Sequence, residues 1–129
     1  MDSDQRTLLI VDDNRYLLES LEHGFRARGY EVLLAKDGNV ALALLAEHRV
    51  DCVLLDILMP EKEGFETLRE IRELYPSLPV YVMSGGGTHR GADFLSMMMK
   101  IGATGTIAKP ATCSQIAEII EGATGRGTS

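Results

Sequence analysis

Residue types that mark several common protein classes are scarce or absent in this chain. There is no tryptophan, and the only two cysteines, Cys52 and Cys113, show no disulfide framework spacing, which favours free thiols in a reducing compartment. The first six residues carry no apolar segment of the kind found in a secretory signal. No apolar run approaches the roughly 20 residues that are needed to cross a bilayer. These absences predict a cytoplasmic protein that makes no membrane contact.

Positive charge is also in the minority. The 129 residues include 13 Lys and Arg against 19 Asp and Glu, for a net charge of −6. Sequence-independent DNA binding depends on basic side chains that neutralise phosphates, so we expect no nucleic-acid partner. The length indicates one domain, and hydrophobic residues at 45% are ordinary for a globular protein that can bury a core without staples.

Short apolar runs alternate along the chain with segments of helical period. The apolar runs predict strands at about Leu8–Val11, Tyr30–Ala35, Val50–Asp56, Val80–Met83 and Gly105–Ala108. This alternation is typical of a parallel sheet covered on both faces, and right-handed crossovers favour the strand order 2-1-3-4-5. We therefore predict an α/β fold, a doubly wound, flavodoxin-like (βα)5 sheet of five strands. Residues 7–121 are expected to form the domain, between a disordered N-terminus (1–6) and a flexible tail (122–129).

The helical segments have apolar faces that predict which side chains enter the core. The first helix is expected from about Asn14 to Arg28, ended by Gly29, and the last from about Cys113 to Glu121. In the fourth helix we expect one apolar stripe that consists of Phe94, Met97, Met98 and Ile101. In the last helix we expect three isoleucines to face inward, Ile116, Ile119 and Ile120.

Polar side chains follow four of the five predicted strands. Asp12 and Asp13 follow the first strand, Asp56 ends the third, Ser84 follows the fourth, and Lys109 follows the fifth. Because ligands bind at the carboxyl edge of open parallel sheets, we expect these groups to meet there. Carboxylates suit Mg²⁺, a carboxylate can attack phosphorus, and a hydroxyl with an ammonium can hold phosphoryl oxygens. The set predicts a site for phosphoryl transfer.

Each of these residues also has a simpler interpretation when it is taken alone. An aspartate at a strand-to-helix junction can cap the helix, and Asp56 can be an ordinary strand-end residue that enters a turn. Ser84 can be a loop residue, and the bond from Lys109 to Pro110 can be an ordinary trans peptide, although a cis bond costs little there. Capping explains one aspartate but not two adjacent ones that face a third.

The ordered set as a whole resembles the receiver domain of two-component response regulators, from about Thr7 to Ile120. Its motifs are the Asp12–Asp13 pair, Asp56 followed by Met59–Pro60 and Gly64, Ser84, Gly102–Ala103 and Lys109–Pro110. The resemblance implies that Asp56 accepts a phosphoryl group from a phosphohistidine and that Lys109 contacts this group. It also implies that Mg²⁺, or Mn²⁺ in its place, is bound by Asp13, Asp56 and the Leu58 backbone carbonyl, with Asp12 acting through water.

The resemblance further implies a phosphorelay signalling switch rather than a turnover enzyme. Ser84, Gly85 and Thr106 would form the switch, although Thr106–Ala108 lacks the aromatic residue that is frequent in the family's fifth strand. The expected partners are a sensor histidine kinase or a histidine phosphotransfer protein, together with an unknown downstream protein, and we expect a stand-alone regulator. The alternative is a receiver-like adaptor that binds a partner without phosphorylation.

Overall fold

The computed structural model describes residues 5–56, 61–84 and 91–123, and in these ranges five strands alternate with five helices. The strands form one parallel sheet in the order β2-β1-β3-β4-β5. The elements in chain order are β1 (Thr7–Val11), α1 (Arg15–Ala27), β2 (Glu31–Ala35), α2 (Gly38–Glu47), β3 (Cys52–Asp56), α3 (Glu61–Leu74), β4 (Val80–Ser84), α4 (Gly91–Ile101), β5 (Gly105–Ala108) and α5 (Cys113–Ala123). The predicted flavodoxin-like fold and strand order are confirmed.

The central strands are buried on both faces of the sheet. Every residue of β3 is buried, and so are four of the five residues in β1 and in β4. Helices cover both faces of a doubly wound parallel sheet, which explains why these strands are nearly continuous apolar runs rather than alternating ones. The sequence predicted β3 from Val50, but the strand begins at Cys52.

Two separate apolar cores lie on the two faces of the sheet. Because successive strand residues point to opposite faces, Leu8 and Ile10 of β1 join one core, whereas Leu9 and Val11 join the other. The first core also contains side chains of α1 and α5, and the second contains side chains of α2, α3 and α4. The carboxyl edge between these layers is left for polar groups.

Both ends of α1 are defined by local chemistry. Asn14 is the N-cap, and its side-chain oxygen accepts a hydrogen bond from the Leu17 amide at 3.2 Å. Beyond Ala27 the chain turns through Gly29, whose φ of +96° lies in the region that favours glycine. The helix therefore begins and ends within one residue of the predicted positions.

Two predicted core positions are wrong. Met97 is 49% exposed and Ile119 is 41% exposed, whereas their neighbours Met98 and Ile120 are fully buried. Adjacent helical residues point about 100° apart, so of two consecutive apolar residues only one occupies the centre of the buried stripe. The predicted disordered N-terminus and tail lie partly outside the described residues, at 1–4 and 124–129. Within the described residues, no helix is long and apolar enough to cross a membrane.

Candidate functional site

The sheet register brings the predicted polar residues to one edge. Val11 of β1 lies beside Leu55 of β3, so the residues that follow them, Asp12 and Asp56, are neighbours at the carboxyl ends of these two strands. On the other side, Ser84 at the end of β4 is in register with Ala108 of β5.

Lys109 is held at this edge by the backbone. Its amide donates a hydrogen bond to the Ser84 carbonyl at 2.9 Å, which continues the ladder one residue beyond β5. The Lys109–Pro110 peptide bond is cis.

Three carboxylates form a compact cluster at the edge. One oxygen from each of Asp12, Asp13 and Asp56 can be chosen so that all lie within 4.8 Å of one another. Asp12 and Asp56 are buried, with 0% and 2% exposure, whereas Asp13 is exposed. The cluster therefore opens to solvent on the Asp13 side.

Lys109 provides a positive charge in contact with the buried pair. Its Nζ lies 3.0 Å from Oδ1 of Asp56 and 3.7 Å from Oδ2 of Asp12, and its side chain is 18% exposed. The shorter distance is that of a charge-assisted hydrogen bond, while the longer one is an ion pair without a hydrogen bond. The ammonium therefore engages Asp56 more closely than Asp12.

The electrostatic balance of the cluster is incomplete around Asp12. Burial raises the pKa of the Asp12 carboxyl to about 6; the Asn14 amide lowers this pKa, the nearby Asp56 raises it, and Lys109 lowers it. Among the described residues, Oδ2 of Asp12 has no hydrogen-bond partner although it is buried. A buried carboxylate oxygen without a donor is costly, so the cluster is suited to an additional positive charge or a bound water.

The donor set fits a hard divalent cation. Carboxylate oxygens are the ligands that Mg²⁺ takes in proteins, where it keeps several waters and uses one or two carboxylates. The cluster offers two buried carboxylates and an exposed one, with solvent access for those waters. The predicted ligand Leu58 lies outside the described residues, as does the predicted switch residue Gly85.

Ser84 and Thr106 lie on the same face of the sheet. Val82 pairs with Thr106 and Ser84 with Ala108, and residues two apart on a strand share a face. Both side chains are half-buried. This placement puts Ser84 at the edge and Thr106 one pleat behind it.

Asn14 is in contact with the acidic cluster, and this contact was not predicted from the sequence. Its backbone amide donates a hydrogen bond of 2.8 Å to Oδ1 of Asp12, while its own side chain caps α1. The pattern of two aspartates and an asparagine directly before a helical period is a helix-start signature, and it could have identified the cap.

Comparison with known proteins gives a consistent result. The family model for the response regulator receiver domain matches residues 8–121. The chain is 43% identical to response regulator MprA of Mycolicibacterium vanbaalenii, over 67% of this chain and 41% of that protein. It is 38% identical to transcriptional regulatory protein CpxR of Klebsiella pneumoniae, over 80% of this chain and 42% of that protein. The chain thus matches about two fifths of the length of these relatives.

Solved structures of similar proteins share the fold over nearly their whole length. Chemotaxis protein CheY4 of Vibrio cholerae superposes with a TM-score of 0.84 at 27% identity, covering 92% of this chain and 98% of that one. A response regulator receiver domain protein of Clostridium thermocellum gives a TM-score of 0.82 at 29% identity, covering 95% and 97% of the two chains.

Proposed function

The chain belongs to the response regulator receiver domain family, which works in two-component phosphorelay signalling, and we propose that Asp56 is its phosphoacceptor. The observation that carries this proposal is the environment of the Asp56 carboxylate. It is buried at the carboxyl edge, within the acidic cluster, and one of its oxygens lies 3.0 Å from the Lys109 ammonium. The phosphoacceptor that we propose is thus a carboxylate in contact with the ammonium group of Lys109.

The proposed reaction is a direct phosphoryl transfer from a phosphohistidine. A carboxylate oxygen of Asp56 attacks phosphorus, and the new oxygen–phosphorus bond forms as the phosphorus–nitrogen bond breaks. The electron pair of the broken bond stays on the imidazole nitrogen, which takes a proton from solvent. Lys109 would neutralise charge on the phosphoryl oxygens, and the Ser84 hydroxyl would donate a hydrogen bond to one of them.

A divalent cation, Mg²⁺ with Mn²⁺ as a substitute, would be held by Asp13, Asp56 and the Leu58 carbonyl, with Asp12 acting through water. When bound, it supplies positive charge that offsets the negative charge of the phosphoryl oxygens. The residues of the chain do the remaining work: Asp56 presents the nucleophile, and Lys109 holds it in place. Oδ2 of Asp12 is buried and has no hydrogen-bond partner among the residues that the structure describes, which supports a place for such an ion or its waters.

The partners that we propose follow from this chemistry. The phosphodonor would be a sensor histidine kinase or a histidine phosphotransfer protein in the cytoplasm, and the domain would act as a phosphoacceptor rather than as a turnover enzyme. Phosphorylation of Asp56 would shift the conformation around Ser84, Gly85 and Thr106 and so control a downstream protein. The net charge of −6 argues against direct nucleic-acid binding by this segment.

The test is phosphorylation by phosphoramidate, a small donor with the same phosphorus–nitrogen bond, in the presence of Mg²⁺. Intact-mass measurement should show one added phosphoryl group that is stable in acid and labile in base. Asp56→Asn should abolish the adduct. The matched control is Asp51→Asn: Asp51 directly precedes β3, at the end of the strand opposite Asp56, and its Oδ2 accepts a hydrogen bond from the Thr7 amide at 2.8 Å. This control should be phosphorylated like the unsubstituted protein.

An adduct that persists in Asp56→Asn would overturn the assignment of the phosphoacceptor. Absence of any adduct with phosphoramidate and with a panel of phosphorylated histidine kinases would instead support the phosphorylation-independent adaptor.

A further inference from the structure

Two consecutive turns link the start of α1 to the Asp12 carboxylate. The Leu17 amide donates to the side-chain oxygen of Asn14 at 3.2 Å, and the Asn14 amide donates to Oδ1 of Asp12 at 2.8 Å. The Leu18 amide also donates to the Asn14 carbonyl at 3.0 Å. Asn14 is therefore bonded at its side chain, its amide and its carbonyl.

These bonds leave the two oxygens of Asp12 in different environments. Oδ1 is occupied by the Asn14 amide, whereas Oδ2 is buried, lies 3.7 Å from the Lys109 ammonium and has no hydrogen-bond partner among the described residues. A carboxylate fixed by one oxygen presents the other in a defined direction. Here that direction is toward Lys109, the cation that also contacts Asp56.

The backbone of Asp12 is fixed independently of Asn14. Its amide donates to the Ala35 carbonyl at 3.0 Å, which extends the pairing of β1 with β2 by one residue. The orientation of the side chain therefore depends on the turn that follows, and the Asn14 side chain holds this turn against the first turn of α1.

We propose that Asn14 is a positioning residue for the acidic cluster, because its helix cap fixes the turn whose amide orients Asp12 for cation binding. This inference rests on the proposed function, since it assigns to Asn14 a part in the same site. Loss of the cap would leave the residue-14 amide in the chain but would free the turn that aims it at Asp12. The affinity for a divalent cation would then fall, as happens when partners that orient metal ligands are removed.

The chain supplies a matched control in the second βα junction. Asp37 caps α2 in the same way, accepting a hydrogen bond from the Val40 amide at 2.9 Å. Asp37 is not part of the acidic cluster. Asn14→Ala and Asp37→Ala therefore each remove one cap, but only the first is expected to affect the cluster.

The experiment measures three quantities in the full chain: thermal unfolding, Mg²⁺ affinity by calorimetry, and hydrogen exchange of the residue-14 amide in the cation-free protein. Asn14→Ala and Asp37→Ala should each lower the melting temperature by about 3–6 °C, the effect of a lost N-cap in a domain of this size. Asn14→Ala should also weaken Mg²⁺ binding about 10-fold and accelerate exchange at residue 14. Asp37→Ala should change neither, and Asn14→Ser, which keeps an oxygen at the cap, should restore both.

Each other outcome has a definite meaning. Unchanged exchange at residue 14 in Asn14→Ala, or Mg²⁺ binding weakened equally by Asp37→Ala, would overturn the positioning role. If the unsubstituted protein bound no Mg²⁺ while Asn14→Ala still lost protection at residue 14, the cation site of the proposed function would fall and the orientation of Asp12 by Asn14 would stand.

Discussion

Charged side chains lie at both the amino and the carboxyl edge of the sheet, but they differ in how completely they are hydrogen-bonded. At the amino edge, the Arg72 guanidinium makes five hydrogen bonds of 2.7–3.0 Å to backbone carbonyls. Two go to Gly102, which lies just before β5, and the others go to Tyr75, Pro76 and Leu78, in the loop that leads into β4. At the carboxyl edge, the Lys109 ammonium contacts two of the three clustered carboxylates, those of Asp12 and Asp56, and Oδ2 of Asp12 is buried without a hydrogen-bond partner among the described residues.

We call the amino edge, where Arg72 is hydrogen-bonded to the backbone, the frame, and we compare it with the candidate site at the carboxyl edge. Arg72 uses the planar fork of its donors to join two loops to the end of α3, and none of the acceptors is a mobile side chain. The acidic cluster keeps like charges close together, an arrangement that lowers stability unless additional positive charge offsets them. The guanidinium at the amino edge is thus hydrogen-bonded to several backbone carbonyls, whereas like charges lie close together at the carboxyl edge.

The strongest way to break this comparison is to remove Arg72. Arg72→Ala should lower the free energy of unfolding by about 3–4 kcal/mol, because hydrogen bonds to a charged group contribute about 1.5–3 kcal/mol and several carbonyls lose their donor together. Arg72→Lys should recover only part of the loss, since an ammonium cannot reproduce the fork. Urea unfolding followed by circular dichroism measures the change, and this method suits a chain without tryptophan.

The control is Arg69→Ala, a substitution at an exposed arginine of the same helix. It should stay within about 0.5 kcal/mol of the unsubstituted protein. An Arg72→Ala protein of unchanged stability would show that the amino edge is not the frame.

The next prediction concerns Asp12 at the carboxyl edge of the cation-free protein, where a substitution should raise the free energy of unfolding rather than lower it. The folded state raises the pKa of Asp12 from 3.8 to about 6, so folding favours the protonated form. Ionisation of Asp12 therefore costs folding free energy. This cost is absent below pH 4, grows as the pH rises from there to about 6, and is constant above pH 6. Asp12→Asn removes this cost and keeps an oxygen for the Asn14 amide. It should therefore stabilise the cation-free protein by about 1–3 kcal/mol at pH 7.5.

Urea unfolding in EDTA at pH 4 and pH 7.5 checks this prediction, since the two proteins should differ only at the higher pH. Asp13→Asn is the control, because Asp13 is exposed and its replacement should change stability little. Equal stability of Asp12→Asn and the unsubstituted protein at pH 7.5 would mean that the cluster is not strained.

The sequence was sufficient for the features that depend on position along a strand. Asp12, Asp56, Ser84 and Lys109 come at or just after the ends of apolar runs, and parallel strands carry their ends to one edge. The strand order followed from the handedness of the crossovers and the alternation of elements. These features need no knowledge of side-chain contacts, so they could be predicted.

Contacts between distant segments could not be predicted in this way. Arg72 and Gly102 are 30 residues apart, and nothing in the local pattern distinguishes Arg72 from the exposed Arg69 on the same helix. The exposed Met97 and Ile119 illustrate a related limit, because each lies beside another apolar residue and helical periodicity alone cannot decide which of the two packs inward.

A smaller effect tests whether neutral donors also contribute to the frame at the amino edge. Tyr30, which directly precedes β2, donates its hydroxyl to the Glu121 carboxylate of α5 at 2.7 Å, and burial raises the pKa of that hydroxyl. Tyr30→Phe keeps the ring in edge contact with Phe25 but leaves Glu121 without this donor. The free energy of unfolding should fall by about 1–1.5 kcal/mol, as measured by urea unfolding at pH 7.5.

Tyr16→Phe is the matched control, since Tyr16 is 85% exposed and should tolerate the change. A loss for Tyr30→Phe as large as that for Arg72→Ala would mean that the frame is spread over the amino edge rather than concentrated in one guanidinium.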